Sequence, residues 1–423
     1  MRVHLEYGTG GLDVDLPSDR VTVVQPDFKP PAVDPDIALA RALRAPIGTL
    51  PLRDMVRPGR TVAISVCDGT RPQPREEMLR AVLGELGAVS PEDIVVVIAA
   101  GTHRRNTPAE IEAMLGRDIA SRYRIVNHDA RDPATLAYAG TTSTGVAVRL
   151  NREFLKADVR ITTGLVEPHF FAGFSGGPKM VAPGLAAIDT VLTLHDARRI
   201  GHPMATWGVT EGNPIHDDVR EIARMVGVHF AIDVTLSRDK RIMAAFAGDL
   251  PAEHAQACAA ARADAMCAVP HRFDVVLTSN SGYPLDQNLY QAVKGLSAAA
   301  RIVKPGGTII CAAECRDGVP DHGSYAQVLA SAATPDALLE MIHAPGYCVP
   351  DQWQVQIQAL ILQQARVRLK ADGLSRDQIR AAHLDPIDRV EDAVAEALDD
   401  AGPGATLCVL PQGPRTIPYL GSG

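Results

Sequence analysis

Cysteine pairs, basic tracts and long apolar runs are all missing from this chain, and each absence excludes a class of protein. The seven cysteines, Cys67, Cys258, Cys267, Cys311, Cys315, Cys348 and Cys408, are odd in number and form no C-x-x-C pair. That pattern argues against a disulfide framework and a thiolate zinc site, leaving most of them as small apolar side chains. No apolar stretch approaches membrane-spanning length, and Met1 to Pro26 lacks the basic start and hydrophobic middle of a signal peptide, so a cytoplasmic protein without a membrane partner is expected. Lys plus Arg number 42 against 50 for Asp plus Glu, a net charge of -8 that argues against a nucleic-acid partner. No G-x-G-x-x-G follows a strand in the second half, which weakens a nicotinamide dehydrogenase reading.

What the chain does have is a βα rhythm. At 423 residues it exceeds what one core usually organises, and a hydrophobic share of 46% with 22% charged residues is that of a soluble globular protein. Short alternating runs at Val3–Tyr7, Leu12–Leu16 and Val21–Val24 predict a small antiparallel meander, followed by a proline-rich linker over Pro26–Asp36. Strands are then expected at Thr61–Val66, Ile94–Ala99, Tyr123–Val126 and Val159–Thr163, with helices at Arg75–Leu86 and Pro108–Leu115 between them. The pattern restarts near Val269 and alternates again, with helices expected over Gln287–Ala299 and Gln352–Ala371 and a strand over Thr406–Val409. The expected fold is therefore α/β: two domains with mostly parallel, Rossmann-like sheets and an active site in the cleft between them. Residues 1–268 would form the first domain and 269–411 the smaller second one, with 412–423 returning to the first.

Open α/β sheets bind ligands at the carboxyl ends of their strands, and here three successive strand ends carry polar groups. The first is CDGTRPQP, with Asp68, Thr70 and Arg71; the second is AGTHRRNTP, with His103; the third is EPHFFAGFSGGPKM, with His169 and Lys179. Singly, Asp68 could cap a turn, Arg71 could pair at the surface and His103 could be an ordinary loop histidine. Repetition at three ends favours one shared site. Within the third segment Gly173, Gly176 and Gly177 permit positive φ and close backbone approach, while Phe170, Phe171 and Phe174 supply apolar walls. It is not a nucleoside-triphosphate loop, because Pro178 stands where that motif needs Gly and Met180 where it needs Ser or Thr. Its amides are nevertheless candidates to receive a cofactor phosphate. His195 sits on Ala186–Arg199, which reads as an amphipathic helix, and His202, His216 and His229 read as structural.

These motifs together resemble the nickel-dependent lactate racemase family, racemases and epimerases of 2-hydroxyacids. The similarity runs from YGTGGLDVDLP and PIGTLPL at the start to NLYQAVKG and DQWQ in the second half. It implies a nickel-pincer nucleotide, pyridinium-3,5-bisthiocarboxylic acid mononucleotide nickel, joined covalently to Lys179 and completed by His195 as the metal ligand. His103 and His169 match the family's two acid/base histidines. Asp68, Thr70, Gly176, Gly177 and Trp353 fall at cofactor-binding positions, and Arg71, Tyr290, Gln291 and Lys294 at substrate-binding ones. Partners implied are a small 2-hydroxyacid, lactate by family default, and the enzymes that build the cofactor. Two alternatives stay open at this stage: a metal-dependent hydrolase with His103, His169 and His195 as direct ligands, and a non-catalytic module that binds metal or cofactor.

Overall fold

The computed structural model describes residues 1–26, 34–320 and 323–421. Most of the linker expected over Pro26–Asp36 lies outside them, but Pro35 already opens the helix Pro35–Arg44, whose first amides are capped by the Asp34 carboxylate. The described residues divide into two compact units. One holds 34–195 and 204–264; the other holds 1–26, 196–203 and 265–421.

The first of these units is built on a six-stranded sheet in the order Ile242–Gly248, Phe230–Leu236, Val159–Leu165, Val62–Cys67, Ile94–Ala99, Arg124–Asn127. All neighbours run parallel except the hairpin Phe230–Leu236 with Ile242–Gly248. The chain moves outward from Val62–Cys67 to one edge and then returns to Val159–Leu165 on the other side. That reversal is the switch point at which the Rossmann arrangement opens a crevice for ligands. Alternation along Val62–Cys67 decides which face is which. Val62, Ile64 and Val66 pack with Leu39, Leu43, Met78, Leu79 and Val82 from the helices, each such side chain contributing about 1.5–3 kcal/mol by burial. Ser65 and Cys67 instead meet Met180, so the Gly-rich segment lies on the other side.

The second unit carries an entirely parallel sheet, ordered Asp385–Pro386, Arg366–Lys370, Val303–Ala312, Phe273–Ser279, Leu407–Leu410, Val21–Val23. Val21–Val23 is therefore not the third strand of a meander: Arg2–Leu5 and Leu12–Asp15 pair antiparallel, while Val21–Val23 joins the far sheet beside Leu407–Leu410. The opening residues thus cluster with 265–421 rather than with the 1–268 domain expected from sequence. In the tail, Ile417–Leu420 pairs parallel with Met266–Val269 inside this same unit. The long helix expected over Gln352–Ala371 ends at Gln364, and the alternating run RVRLK beyond it, with Val367 and Leu369 buried, becomes the strand Arg366–Lys370. All seven cysteines are free, five of them buried. No helix among the described residues is long and apolar enough to cross a membrane.

Candidate active site

The loop after Val62–Cys67 is shaped by a residue that sequence reasoning passed over. Arg75 is buried, and its guanidinium donates to the carbonyls of Cys67, Gln73, Asp68 and Arg71, drawing the whole turn around one cation. Burial lowers its pKa, and the nearby Cys67 and Asp68 oppose that shift. A clue existed: Arg75 opens the helix Arg75–Glu85, the end where a positive charge is least favoured by the helix dipole. Gln73 fixes the same loop from inside, accepting from the Cys67 amide at 2.8 Å and donating to Thr163 Oγ1 at 3.0 Å.

Held in this way, Asp68 is buried and accepts from Thr70 Oγ1 and His103 Nδ1, both at 2.7 Å. Burial pushes its carboxyl up, but the hydrogen bonds from His103 and Thr70, with the charges of His103 and Arg71, outweigh that and hold it below its ordinary value. An ionised Asp68 takes the Nδ1 hydrogen of His103, so Nε2 carries the lone pair. The arrangement is that of an oriented general base, with the His103 side chain 47% exposed. Arg71 projects from the same loop, half-buried, and its guanidinium makes no hydrogen bond to the described residues. Arg104 and Arg105 do not join the site: they pair with Glu110 and Asp129 at the surface.

The third strand end turns on Phe171. Its ring centroid lies 4.4 Å from that of His169, 5.2 Å from that of His195 and 5.3 Å from Lys179 Nζ, so three separately identified residues surround one buried aromatic ring. His169 Nδ1 accepts the Ala172 and Phe171 amides at 3.3 and 3.5 Å, which places the neutral hydrogen on Nε2. These are long contacts, easily given up if the ring hydrogen moves to Nδ1 so that Nε2 can accept a proton. His103 and His169 therefore rest in opposite states, one presenting a lone pair and one an N–H. His195 is buried and its Nδ1 donates to the Val191 carbonyl at 2.7 Å, which puts the ring's lone pair on Nε2. It does not lie within a continuous Ala186–Arg199 helix: Ile188–Leu194 stops at His195, and Asp196 caps a new turn, Ala197–Ile200.

The loops are joined to one another. Gly101 N–H donates to Gly184 O, Gly184 N–H donates to Lys179 O, and Ser65 Oγ donates to Met180 O. Two histidines brace the Gly-rich segment from behind: His216 Nδ1 donates to Ala172 O at 3.0 Å and His254 Nε2 to Ser175 O at 2.9 Å, their rings stacked 5.6 Å apart. The expectation that this segment's amides cradle a phosphate is corrected at three positions, because Ser175 N–H and Lys179 N–H serve the carbonyls of Glu167 and Gly176, and Gly177 N–H serves Asp233. Asp233 and His254 escaped the sequence reading because their partners lie dozens of residues away.

Burial lowers the pKa of His216 to about 3 and of His254 to about 4. Each is neutral when folded but binds a proton at about 6.5 once unfolded, so the stability they support is intact above pH 6.5 and lost as pH falls toward 4. The loss is about 1.4 kcal/mol per pH unit for each histidine. Burial raises Asp233 to about 7 and Glu253 well above its ordinary value, and these work in the opposite direction. The His216→Gln/His254→Gln double variant should therefore lose less melting temperature between pH 6.5 and 4 than the parent chain, measured by calorimetry.

In the other unit, Tyr290, Gln291 and Lys294 stand on the first turns of Leu289–Ala300, and Trp353 near the start of Gln352–Gln364. Trp353 Nε1 donates to Tyr290 OH at 3.0 Å, while Gln354 donates to the Tyr290 carbonyl. The four residues thus come from one helix–helix junction. Gln291 Oε1 is buried without a hydrogen-bond partner.

A Rossmann-ordered sheet whose strand ends carry a carboxylate-bound histidine and a lysine and two histidines around one aromatic ring is the arrangement of an α/β enzyme. The lactate racemase N-terminal domain family matches residues 7–208 and the lactate racemase C-terminal domain family residues 269–417. A lactate racemase from Thermoanaerobacterium thermosaccharolyticum is 33% identical over 422 residues, 98% of both chains, and one from Lactiplantibacillus plantarum is 36% identical over 377 residues, 88% of both. The structure of the lactate racemase apoprotein from T. thermosaccharolyticum superposes with a TM-score of 0.92 at 32% identity, covering 99% of this chain and 100% of that one. A Thermotoga maritima protein at TM-score 0.67 and 19% identity, covering 92% of this chain and 97% of its own, shares the fold. The chain belongs to the lactate racemase family; it is a racemase, an isomerase.

Proposed function

We propose that this racemase interconverts the D and L forms of a small 2-hydroxyacid, lactate first, with a nickel-pincer nucleotide attached to Lys179 and ligated by His195. The observation that carries the reading is the convergence of His169, His195 and Lys179 on the Phe171 ring, on a loop joined through Gly184 and Gly101 to the one that carries His103 and its Asp68 partner. The residues present fit such a group. His195 offers Nε2 from a buried, carbonyl-anchored ring, and imidazole suits nickel. Among the described residues no group of three or more His, Cys, Asp or Glu side chains is placed to hold a metal by itself, which suits a metal whose other donors come with the nucleotide. That disfavours the hydrolase alternative, which needs His103, His169 and His195 as joint ligands.

When bound, the nucleotide supplies an acceptor for the Cα hydrogen as hydride, a route that avoids placing a carbanion beside the carboxylate. The protein's part is to bind, orient and move the hydroxyl proton. Arg71 offers a fork of N–H donors that suits the substrate carboxylate bidentately. His103 Nε2 takes the hydroxyl proton of one enantiomer, and the imidazolium so formed faces ionised Asp68. His169 serves the opposite enantiomer, whose hydroxyl points the other way. Buried Phe170 and Phe171, with Trp207 packed against Phe170, keep water from the reacting atoms. Asp68 and Thr70 position His103, while Tyr290, Gln291, Lys294 and Trp353 are assigned to substrate and cofactor contacts by the family resemblance. The cytoplasm remains the expected compartment, and cofactor-building enzymes the expected partners.

Metal analysis tests the ligand assignment. Protein produced together with the cofactor-building enzymes should racemise lactate, and His195→Ala should lose nearly all its nickel, while His103→Ala and His169→Ala keep theirs. Equal loss in all three variants would favour the joint-ligand hydrolase.

A further inference from the structure

We propose that Asp233 is a positioning residue for Lys179, setting the backbone turn from which the lysine reaches its cofactor; this rests on the reading of Lys179 as the attachment point. Asp233 lies in the strand Phe230–Leu236, directly opposite Gly164 of Val159–Leu165, and is fully buried. Its neighbours Phe230, Ile232 and Val234 belong to the apolar core. An apolar side chain would serve such a strand at lower cost, since a buried carboxyl must find partners or forfeit its hydration.

The surrounding backbone is shaped around this carboxylate. Oδ2 accepts the Gly177 N–H at 2.7 Å. A Cβ on Gly164 would sit 2.2 Å from Oδ1 and one on Gly176 2.9 Å from Oδ2, so glycine on two separate segments makes room for one side chain. Gly176 and Gly177 adopt φ of +70° and +47°, left-handed values that glycine takes without strain, and they turn the Gly177 amide inward. The one-turn helix Gly177–Met180 begins there, closed by Lys179 N–H on Gly176 O at 3.0 Å. On its far side a Cβ at Gly177 would strike the His254 ring at 2.4 Å. The turn is therefore fixed by a carboxylate on one side and an imidazole on the other, and Lys179 follows two residues after the anchored amide. Asp233 Oδ1 is buried without a hydrogen-bond partner, so its hydrogen-bonding role lies wholly in the Gly177 contact.

The test compares Asp233→Val, which suits a strand but has no acceptor, with Asp233→Asn, whose amide oxygen can still receive the Gly177 N–H. Both full-length variants are produced with the cofactor-building enzymes. Intact mass gives the fraction carrying the Lys179 adduct, and amide hydrogen exchange is followed for residues 175–181. Asp233→Val should lower the adduct fraction at least tenfold and speed exchange of that peptide at least tenfold, with protection of Val62–Cys67 and Ile94–Ala99 unchanged. Asp233→Asn should restore both readouts to within a fewfold of the parent. If the valine variant does not fold, Asp233→Ala replaces it. Normal loading of a folded Asp233→Val or Asp233→Ala overturns the proposal. Impaired loading in Asp233→Asn equal to that in Asp233→Val does so as well. Failure of the parent chain to carry any adduct on Lys179 would instead show that the attachment reading is wrong, and the positioning role falls with it.

Discussion

Lys179→Ala should carry no covalent nucleotide at all, while folding as the parent does. The lysine lies on a one-turn helix whose hydrogen bonds, from Lys179 N–H to Gly176 O and from Gly184 N–H to Lys179 O, are made by the main chain and survive truncation of the side chain. What disappears is the amine, and neither His169 nor His195, which share the Phe171 ring with it, can form a thioamide or amide link in its place. Some loss of packing follows, because the ammonium rests 5.3 Å from the Phe171 ring, but a contact of that kind is worth only about 0.5–2 kcal/mol. Intact mass spectrometry of both proteins, produced with the cofactor-building enzymes, reads the outcome directly. An adduct of unchanged mass and abundance in the variant would contradict the assignment.

The second large effect belongs to the two histidines. His103→Ala and His169→Ala should each lower racemisation by roughly two or more orders of magnitude, the usual contribution of a positioned acid–base group. Both directions of reaction must suffer, since each enantiomer's proton transfer is the reverse of a step the other requires. The resting states differ, however. His103 is oriented by a buried carboxylate at 2.7 Å, whereas His169 Nδ1 accepts two amides at 3.3 and 3.5 Å. Asp68→Asn should therefore weaken proton transfer at His103 without touching His169, visible as a larger loss from one enantiomer than from the other in single-turnover measurements.

The strands that bear the site were legible because their alternation is local. Ile94–Ala99 and the helix Pro108–Leu115 have the limits that apolar periodicity and proline placement predict. Asp68, His103, His169 and Lys179 could be grouped for the same reason, as each follows a strand that periodicity identifies. The errors came from long-range choices. Nothing in Val21–Val23 itself distinguishes a third meander strand from an edge strand beside Leu407–Leu410, nearly four hundred residues on. Ala186–Arg199 has a continuous amphipathic pattern, yet Asp196 caps a fresh turn, and the break frees His195 from the helix. Arg75, Asp233 and His254 were unreadable as supports because a buried polar residue declares its purpose only through its partner.

The central claim is that His103 and His169 move only the hydroxyl proton, and that the Cα hydrogen never becomes a proton available to solvent. Racemisation of lactate deuterated at Cα, run in ordinary water with cofactor-loaded protein and followed by mass spectrometry, tests this most directly. The account predicts that product of inverted configuration keeps most of its deuterium. Rapid loss of the label as inversion proceeds would mean that a side-chain base removes the Cα hydrogen as a proton, and would contradict it.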